Sequence, residues 1–154
     1  MLIASGCLIV TCLGSAVSLY CSYFNYPGGH ALAEFNSYYS KLLEEDSSLE
    51  VPSLHIGLYP AQTGVSKFLH KPEWNVSKVK DLTDEELLQF THIITEYPYV
   101  NGFGLLFAQQ GFDHMSWKMR GPVLKDKVYV LERNDINTVR KLPPQSKCKS
   151  RDNL

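Results

Sequence analysis

Residues 1–33 of this 154-residue chain contain no Asp, Glu, Lys or Arg, and the first formal charge is Glu34. An uncharged segment from Leu2 to Tyr23 is long enough to cross the roughly 30 Å hydrocarbon layer of a bilayer as a helix. No Lys or Arg precedes it and no convincing small-residue cleavage site follows it, which favours a transmembrane helix over a cleaved signal peptide. A buried helix of a soluble protein is the third alternative.

Cysteine is too scarce to build a disulfide framework outside this segment. Three of the four cysteines, Cys7, Cys12 and Cys21, lie in or beside the apolar run, and Cys148 stands alone near the C-terminus. The soluble part must therefore be held together by its core. The formal net charge of −1 argues against a nucleic-acid partner, because such proteins normally present a basic face.

Familiar catalytic motifs are also missing. The sequence has no zinc-site spacing and no Gly-x-Ser-x-Gly elbow, and Gly102-Phe103-Gly104 lacks the third glycine of a dinucleotide loop. His55 and His92 occupy matching places in two predicted strands and are expected to be neighbours across a sheet. A metal site needs more ligands than two, so we interpret them as structural histidines and predict no cofactor.

The stretch from Phe24 to Gly29 is where the chain is expected to leave the membrane. Pro27 disfavours a helical conformation for the residue before it, so a helix arriving from the N-terminal side should end here. The pair Gly28-Gly29 is interpreted as a sharp turn, since glycine adopts backbone angles that other residues avoid. Aromatic rings just ahead of the turn suit the lipid headgroup level; they are Tyr20, Tyr23, Phe24 and Tyr26.

Hydrophobic periodicity predicts the elements that follow. Tyr99 to Phe112 is expected to be a helix against the sheet or a surface lying on the membrane. Because helices separate the strands, we expect an α/β domain over 25–135 with a mostly parallel sheet, followed by a disordered, locally basic tail over 136–154. The predicted helices are 29–45, one from Thr63 through Leu69, and 81–90 with a capping box of Thr83 and Glu86; the predicted strands are 54–58, 73–79, 91–95 and 127–132.

Thr63 marks a candidate binding site. A strand, a loop and a helix beginning at Thr63 would present free backbone N–H groups to an anion. The alternative is that Thr63 and Gly64 simply start a helix, since no glycine-rich fingerprint is present.

Two segments carry a family resemblance. Asn25-Tyr26-Pro27-Gly28-Gly29 directly after a span, and His55-Ile56 followed by Ala61-Gln62-Thr63-Gly64-Val65-Ser66-Lys67-Phe68, resemble the C-terminal part of the glycosyltransferase family 22 mannosyltransferases. Within that family they look most like the dolichyl-phosphate-mannose-dependent α-1,6-mannosyltransferases of lipid-linked N-glycan assembly. Thr91-His92-Ile93 and Val130-Leu131-Glu132-Arg133 are similar to later parts of the same region.

The resemblance implies a multi-span endoplasmic-reticulum membrane enzyme whose substrates are dolichyl-phosphate mannose and a dolichyl-pyrophosphate oligosaccharide. Residues 1–24 would be its last span, and the rest would be lumenal; the sequon at Asn75 is a weak hint of the same orientation. The family's acidic residues that activate the acceptor lie in a first lumenal loop, which has no counterpart here. We therefore expect a C-terminal fragment or short isoform that is inactive alone, and we assign no catalytic residue.

Under this resemblance the predicted substrate-binding residues are His55, Gln62, Thr63 and Lys67. The alternative function is a membrane-anchored module that binds glycan or the full-length enzyme without catalysis. A third is an unrelated secreted domain whose first segment is removed.

Overall fold

The structure, a computed structural model, describes residues 2–116, 118 and 121–136. From residue 137 onwards, the tail predicted over 136–154 lies outside the described residues. The helices are α1 (Leu2–Tyr23), α2 (Pro27–Glu45), α3 (Leu58–Gln62) and α4 (Asp84–Leu87), with a short 3-10 turn at Lys67–Leu69; the strands are β1 (Ser53–Ile56), β2 (Asn75–Ser77), β3 (His92–Thr95), β4 (Phe103–Ser116) and β5 (Gly121–Arg133).

The strands form a mixed sheet in the order β2-β1-β3-β5-β4. Strand β1 lies in the parallel half, paired with β2 and with β3. Strand β5 runs antiparallel to both β3 and β4. The α/β class is confirmed, but the expectation of a mostly parallel sheet is wrong. Strands β4 and β5 follow each other closely in sequence, and a short connection can join only antiparallel strands.

Helix α2 covers one face of this sheet and confirms the helix predicted over 29–45. Its buried side chains recur at steps of one, three and four residues, so they form one apolar stripe. Phe35 packs edge-on against Trp74, with ring centroids 5.7 Å apart. The stripe consists of Ala31, Leu32, Phe35, Tyr39 and Leu42, and the sheet residues in the same cluster are Leu54, Ile56, Ile94, Phe107, Val128 and Val130.

The opposite face of the sheet holds a smaller cluster. Ile93, Phe103 and Leu131 are buried there, and Leu87 and Val100 pack against them. The elements that cover this face are short; α4, for example, has only four residues. The two faces therefore differ, one closed by a long helix and the other by loops.

The segment from Tyr99 to Phe112 does not form a helix against the sheet, which was the first of our two alternatives for it. Phe103 begins the 14-residue strand β4, which pairs with β5 almost along its whole length. Phe103 and Phe107 are buried on the sheet, whereas Leu105 is 58% exposed. The register shifts between Leu105 and Phe107, which interrupts the alternation that would have identified a strand.

Thr63 does not begin a helix, so the prediction of a helix from Thr63 through Leu69 is wrong. Helix α3 ends at Gln62, and Thr63 is its C-cap residue. Gly64 follows with φ of +100°, a conformation that suits glycine and ends a helix. The segment beyond it forms only the 3-10 turn Lys67–Leu69. The remaining predictions are confirmed in shorter or longer form, as β1, β2, β3, α4 and β5.

Helix α1 is long and apolar enough to cross a membrane. Residues Ile3–Tyr23 have a mean hydropathy of 1.8, and none of the span is buried inside the structure. Helix α1 is therefore not buried by the described part of the chain. As predicted, α1 ends before Pro27, and Pro27 then occupies the first turn of α2, where its missing N–H costs nothing.

Candidate functional site

A cavity of about 630 Å³ opens on the loop-covered side of the sheet, at the carboxyl ends of the parallel strands. Gly57 follows β1, Lys78 follows β2 and Glu96 follows β3, and all three line the cavity. Ligands of open α/β sheets bind in such a crevice, because side chains and loops from adjacent parallel strands converge there. The cavity is therefore the candidate functional site.

His55 gives the cavity an imidazole. It is 7% exposed, and its Nδ1 atom has no hydrogen-bond partner among the described residues. Burial lowers the pKa of His55 below its ordinary value of 6.5, so the ring is neutral at neutral pH. A neutral imidazole carries one N–H donor and one acceptor nitrogen, which suits a ligand hydroxyl group. A buried polar atom without a partner is costly, and a ligand that bonds to it would remove that cost.

Glu96 places a carboxylate on the same cavity. Gly57 allows it to approach the backbone, because a Cβ atom added to Gly57 would lie 3.1 Å from Glu96 Oε2 and 3.3 Å from the carbonyl oxygen of Ile94. The N–H of Gly57 donates to that same carbonyl at 2.8 Å, which fixes the end of β1 against the end of β3. The imidazole and the carboxylate thus line one opening at the ends of adjacent strands.

The loop 78–82 forms another wall with charges of both signs. Lys78, Lys80 and Asp81 line the cavity, and the Lys78 ammonium donates to the carbonyl of Val65 at 3.3 Å. The exposed ring of Tyr97 lies at the same opening. An aromatic face together with donors and acceptors of both charges suits a neutral, polyhydroxylated ligand better than a purely anionic one.

Helix α4 closes the side of the cavity that is lined by Leu87. The predicted capping box is present: Thr83 N–H donates to Glu86 Oε2 at 2.8 Å, and Glu86 N–H donates to Thr83 Oγ1 at 3.4 Å. The bonds from Thr83 lower the pKa of the Glu86 carboxyl group, because they favour its charged form. The box stabilises a helix too short to be stable alone, and so it positions Leu87.

His55 and His92 are not neighbours on one face, contrary to our expectation. The register pairs Leu54 with His92 and His55 with Ile93. Because successive side chains of a strand alternate between faces, the two imidazoles lie on opposite sides of the sheet. His92 is fully buried under α2, 4.9 Å from the Phe35 ring, and its Nδ1 is bonded to Thr91 Oγ1 at 2.9 Å.

Gln62, Thr63 and Lys67, the other three predicted binding residues, do not line the cavity. Gln62 is exposed as the last residue of α3, and Lys67 is exposed on the connection between α3 and β2. The Thr63 hydroxyl is already bonded, donating to the carbonyl of Tyr59 at 2.9 Å and accepting from Gly28 N–H at 3.2 Å. The anion site predicted at Thr63 needs the free N–H groups of a helix N-terminus. Thr63 lies at the C-terminal end of α3, so the structure does not form that site.

The contact between Gly28 and Thr63 joins the two segments that carry the family resemblance. Gly29 N–H also donates to the Thr63 carbonyl at 2.9 Å. A Cβ atom on Gly28 would lie 2.1 Å from Pro60 O, and one on Gly29 would lie 2.8 Å from Gly64 O. The interpretation of the glycine pair as a sharp turn is wrong: both residues are helical, and they let α2 pack directly on the turn after α3.

Metal binding and glycosylation are two other roles that the sequence raises for its side chains. The described part of the chain contains no group of three or more His, Cys, Asp and Glu residues placed to hold a metal ion. Asn75 is exposed at the start of the outer strand β2, where its side-chain N–H donates to Ser53 Oγ at 3.1 Å. Its modification stays a prediction.

Comparison with known proteins finds relatives that share one name. The chain is 30% identical over 135 residues to the Dol-P-Man:Man(7)GlcNAc(2)-PP-Dol alpha-1,6-mannosyltransferase of Arabidopsis thaliana, covering 83% of this chain and 25% of the relative. It is 34% identical over 90 residues to the probable enzyme of that name from Schizosaccharomyces pombe, covering 56% of this chain and 15% of that protein. The corresponding Drosophila melanogaster protein is 36% identical over 75 residues, which cover 47% of this chain and 10% of that protein.

The chain resembles these mannosyltransferases. This confirms the resemblance that the sequence motifs predicted. The predicted enzyme class, mannosyltransferase, is the one that the names of all three relatives carry. The chain spans about a quarter of the length of the Arabidopsis relative and less of the other two. No protein-family profile matches the chain, and no solved structure matches it.

Sequence reasoning found His55 but missed the other cavity residues. A signal for them was present, because Gly57 and Glu96 each stand directly after a short, buried run with strand character. The rule that ligands bind at the carboxyl ends of parallel strands would have selected both positions.

Proposed function

We propose that this chain is the C-terminal, membrane-attached part of an endoplasmic-reticulum mannosyltransferase. The complete enzyme would transfer mannose from dolichyl-phosphate mannose to a dolichyl-pyrophosphate-linked oligosaccharide. The observation that carries the proposal is that three relatives from a plant, a yeast and an insect share this activity in their names. Helix α1 supports the membrane attachment by its length and apolar composition.

Within this enzyme, the domain over 25–135 faces the lumen and binds the oligosaccharide of the acceptor. The chemistry of the cavity supports this role, since His55, Glu96 and Tyr97 offer a neutral donor and acceptor, a carboxylate and an aromatic face. Sugars need such pairs of polar groups to replace the water that leaves their hydroxyls. Gln62 at the end of α3 and Lys67 beyond it are exposed, and they form a second candidate contact with the glycan.

The chain is proposed to be inactive by itself. Inverting transfer to a sugar hydroxyl needs a base within hydrogen-bond reach of that hydroxyl. The resemblance assigns that base to a lumenal loop elsewhere in the enzyme, and we assign no catalytic residue here. Mannosyl transfer by membranes that contain this chain as their only mannosyltransferase polypeptide would contradict this part of the proposal.

A chimera tests the function directly. The 135-residue region of the Arabidopsis relative that aligns with this chain is replaced by the chain, and transfer to the Man(7) acceptor is measured in membranes. We expect activity to be retained, because the aligned region would supply the same binding and packing surfaces. A chimera that folds and inserts normally but transfers no mannose would overturn the proposal.

The cavity is tested in the same chimera by His55→Leu and Glu96→Gln. Loss of hydrogen bonds to bound glycan should raise KM for the acceptor about tenfold, taking roughly 1–2 kcal/mol for each bond lost. The second candidate contact is tested beside them by Gln62→Ala and Lys67→Ala, and the matched control is Lys41→Ala, which changes an exposed side chain of α2 outside the cavity. An increased KM in the Gln62→Ala and Lys67→Ala variants alone would move the glycan contact from the cavity to the surface around the end of α3.

A further inference from the structure

The far end of the β4–β5 hairpin lies beside the last turn of α1. Phe112 N–H donates to the Phe24 carbonyl at 3.0 Å, and the Met115 sulfur lies 4.0 Å from the Cys21 sulfur. Cys21 belongs to the apolar span, whereas Phe24 stands just after it. As β4 proceeds from Phe112 to Met115, it therefore runs back along α1 towards the apolar segment.

The level that the hairpin reaches can be read from the aromatic side chains of α1. Tyr20 and Tyr23 are half exposed on either side of Cys21, and their rings lie about 5 Å from the Phe24 ring. Tyr side chains at the end of a transmembrane helix sit at the lipid headgroups. Because Met115 contacts Cys21, its level along α1 is that of these tyrosines.

The contacts also hold α1 and the domain in one orientation. His30 of α2 bonds through Nε2 to the Tyr23 carbonyl at 3.0 Å, and its ring lies 4.5 Å from the Tyr23 ring. Together with the bond from Phe112 to Phe24, this fixes the last turn of α1 from two sides. A hairpin fixed in this way approaches the membrane whenever α1 spans it.

The chemistry of the hairpin end fits the headgroup region rather than the hydrocarbon. The Met115 side chain is 52% exposed, and the cationic Lys118 three residues further on is exposed as well. Asp113, the acid that precedes Met115 by two residues in the sequence, is paired with Lys127, whose hydrogen bond lowers the pKa of that carboxyl group. Strand β4 is at the edge of the sheet, and any backbone group without a partner there would be costly in hydrocarbon.

We infer that the end of the β4–β5 hairpin around Met115 is a second membrane contact, seated among the lipid headgroups beside α1. This inference rests on the proposed placement of α1 across the membrane. The occupant of the surface is a lipid headgroup layer. The surface adjoins α1, which is itself proposed to lie in the membrane, and this favours lipid as the occupant. The cationic side chain of Lys118 favours lipid layers that contain anionic headgroups. Such a contact would set the height and tilt of the domain, and with them the distance of the cavity from the bilayer.

The test uses site-directed spin labels on the full chain in vesicles in which about a fifth of the lipid is anionic. Each variant keeps one cysteine: the natural Cys12 in α1, Met115→Cys in the hairpin, or Ser47→Cys beyond the far end of α2, with the other cysteines replaced by alanine. Oxygen concentrates in lipid, whereas nickel chelates stay in water. The ratio of a label's accessibility to oxygen to its accessibility to the chelate therefore reports the depth of the label in the membrane. We expect the ratio at 115 to lie between a high value at 12 and a low value at 47.

The outcomes separate this inference from the proposed function. A lipid value at 12 with a fully aqueous value at 115 would overturn the hairpin contact and leave the span in place. Low accessibility to both reagents at 115 would mean that protein covers the site, which also overturns it. An aqueous value at 12 would remove the spanning helix and the inference together. Lys118→Glu provides a second measurement, and it should shift the ratio at 115 towards water in anionic vesicles but not in neutral ones.

Discussion

Gly28→Ala is the substitution that most directly tests how the domain is assembled. An added methyl group would lie 2.1 Å from Pro60 O and 2.7 Å from Thr63 Oγ1. The first atom belongs to the backbone and cannot rotate away, so the start of α2 must move off the turn after α3. That movement would stretch the bonds from Gly28 N–H to Thr63 Oγ1 and from Gly29 N–H to Thr63 O.

The opposing effects have known sizes. Alanine favours a helix over glycine by about 1 kcal/mol, which by itself would stabilise the variant. Overpacking costs about 1–3 kcal/mol, and each weakened hydrogen bond costs about 1 kcal/mol. The free energy of unfolding should therefore fall by about 2–4 kcal/mol.

The measurement is urea unfolding of the full chain in detergent, followed by the fluorescence of Trp74, which is 6% exposed in the folded domain. Trp117 is replaced by Phe in all variants so that a single tryptophan reports. The matched control is Gly14→Ala in α1, where an added Cβ would have no atom within 4 Å. A Gly28→Ala protein as stable as its parent would refute the close contact between α2 and the turn after α3.

Three further predictions concern single side chains. Tyr39→Phe removes the bond from the Tyr39 hydroxyl to the Glu50 carbonyl at 3.0 Å and should lower the free energy of unfolding by about 1 kcal/mol, measured by urea unfolding; an unchanged midpoint would contradict it. Because burial lowers the pKa of His55, the unfolded chain binds this proton more readily, so stability should fall as the pH drops below about 6.5. Burial also lowers the pKa of His70, so His55→Gln should remove only part of this dependence of stability on pH. An unchanged pH dependence in the variant would refute its assignment to His55. Thr83→Ala should cost about 1 kcal/mol through loss of the helix cap, whereas Thr83→Ser should cost less; equal losses would exclude capping as the cause.

The elements that sequence alone predicted are those with strong local signals. Helix α2 has an uninterrupted apolar stripe, and the capping box of α4 is specified by Thr83 and Glu86 within four residues. The end of α1 is specified by the change in polarity and by Pro27. In each case the neighbours that determine the structure are close in the chain, so a single sequence window contains the information.

The elements that sequence reasoning missed depend on distant partners. The apolar run from Tyr99 to Phe112 forms a strand because β5 pairs with most of it, an arrangement that no local window contains. Thr63 ends a helix because α3 packs under α2, where Gly28 and Gly29 leave room for the turn. Propensity is a weak prior in both segments, and tertiary packing overrides it.

The sequence by itself determined the membrane-like first segment, the amphipathic helix after Pro27 and the resemblance to mannosyltransferases, because composition, periodicity and motifs are local properties. Only the tertiary structure decided which side chains meet. The parallel pairing of β1 with β3 brought Gly57 and Glu96 to one cavity with His55, and the one-residue offset of the register put His92 on the other face. Side chains in strands alternate between faces, so a shift of a single residue decides whether a histidine lies in the cavity or in the core.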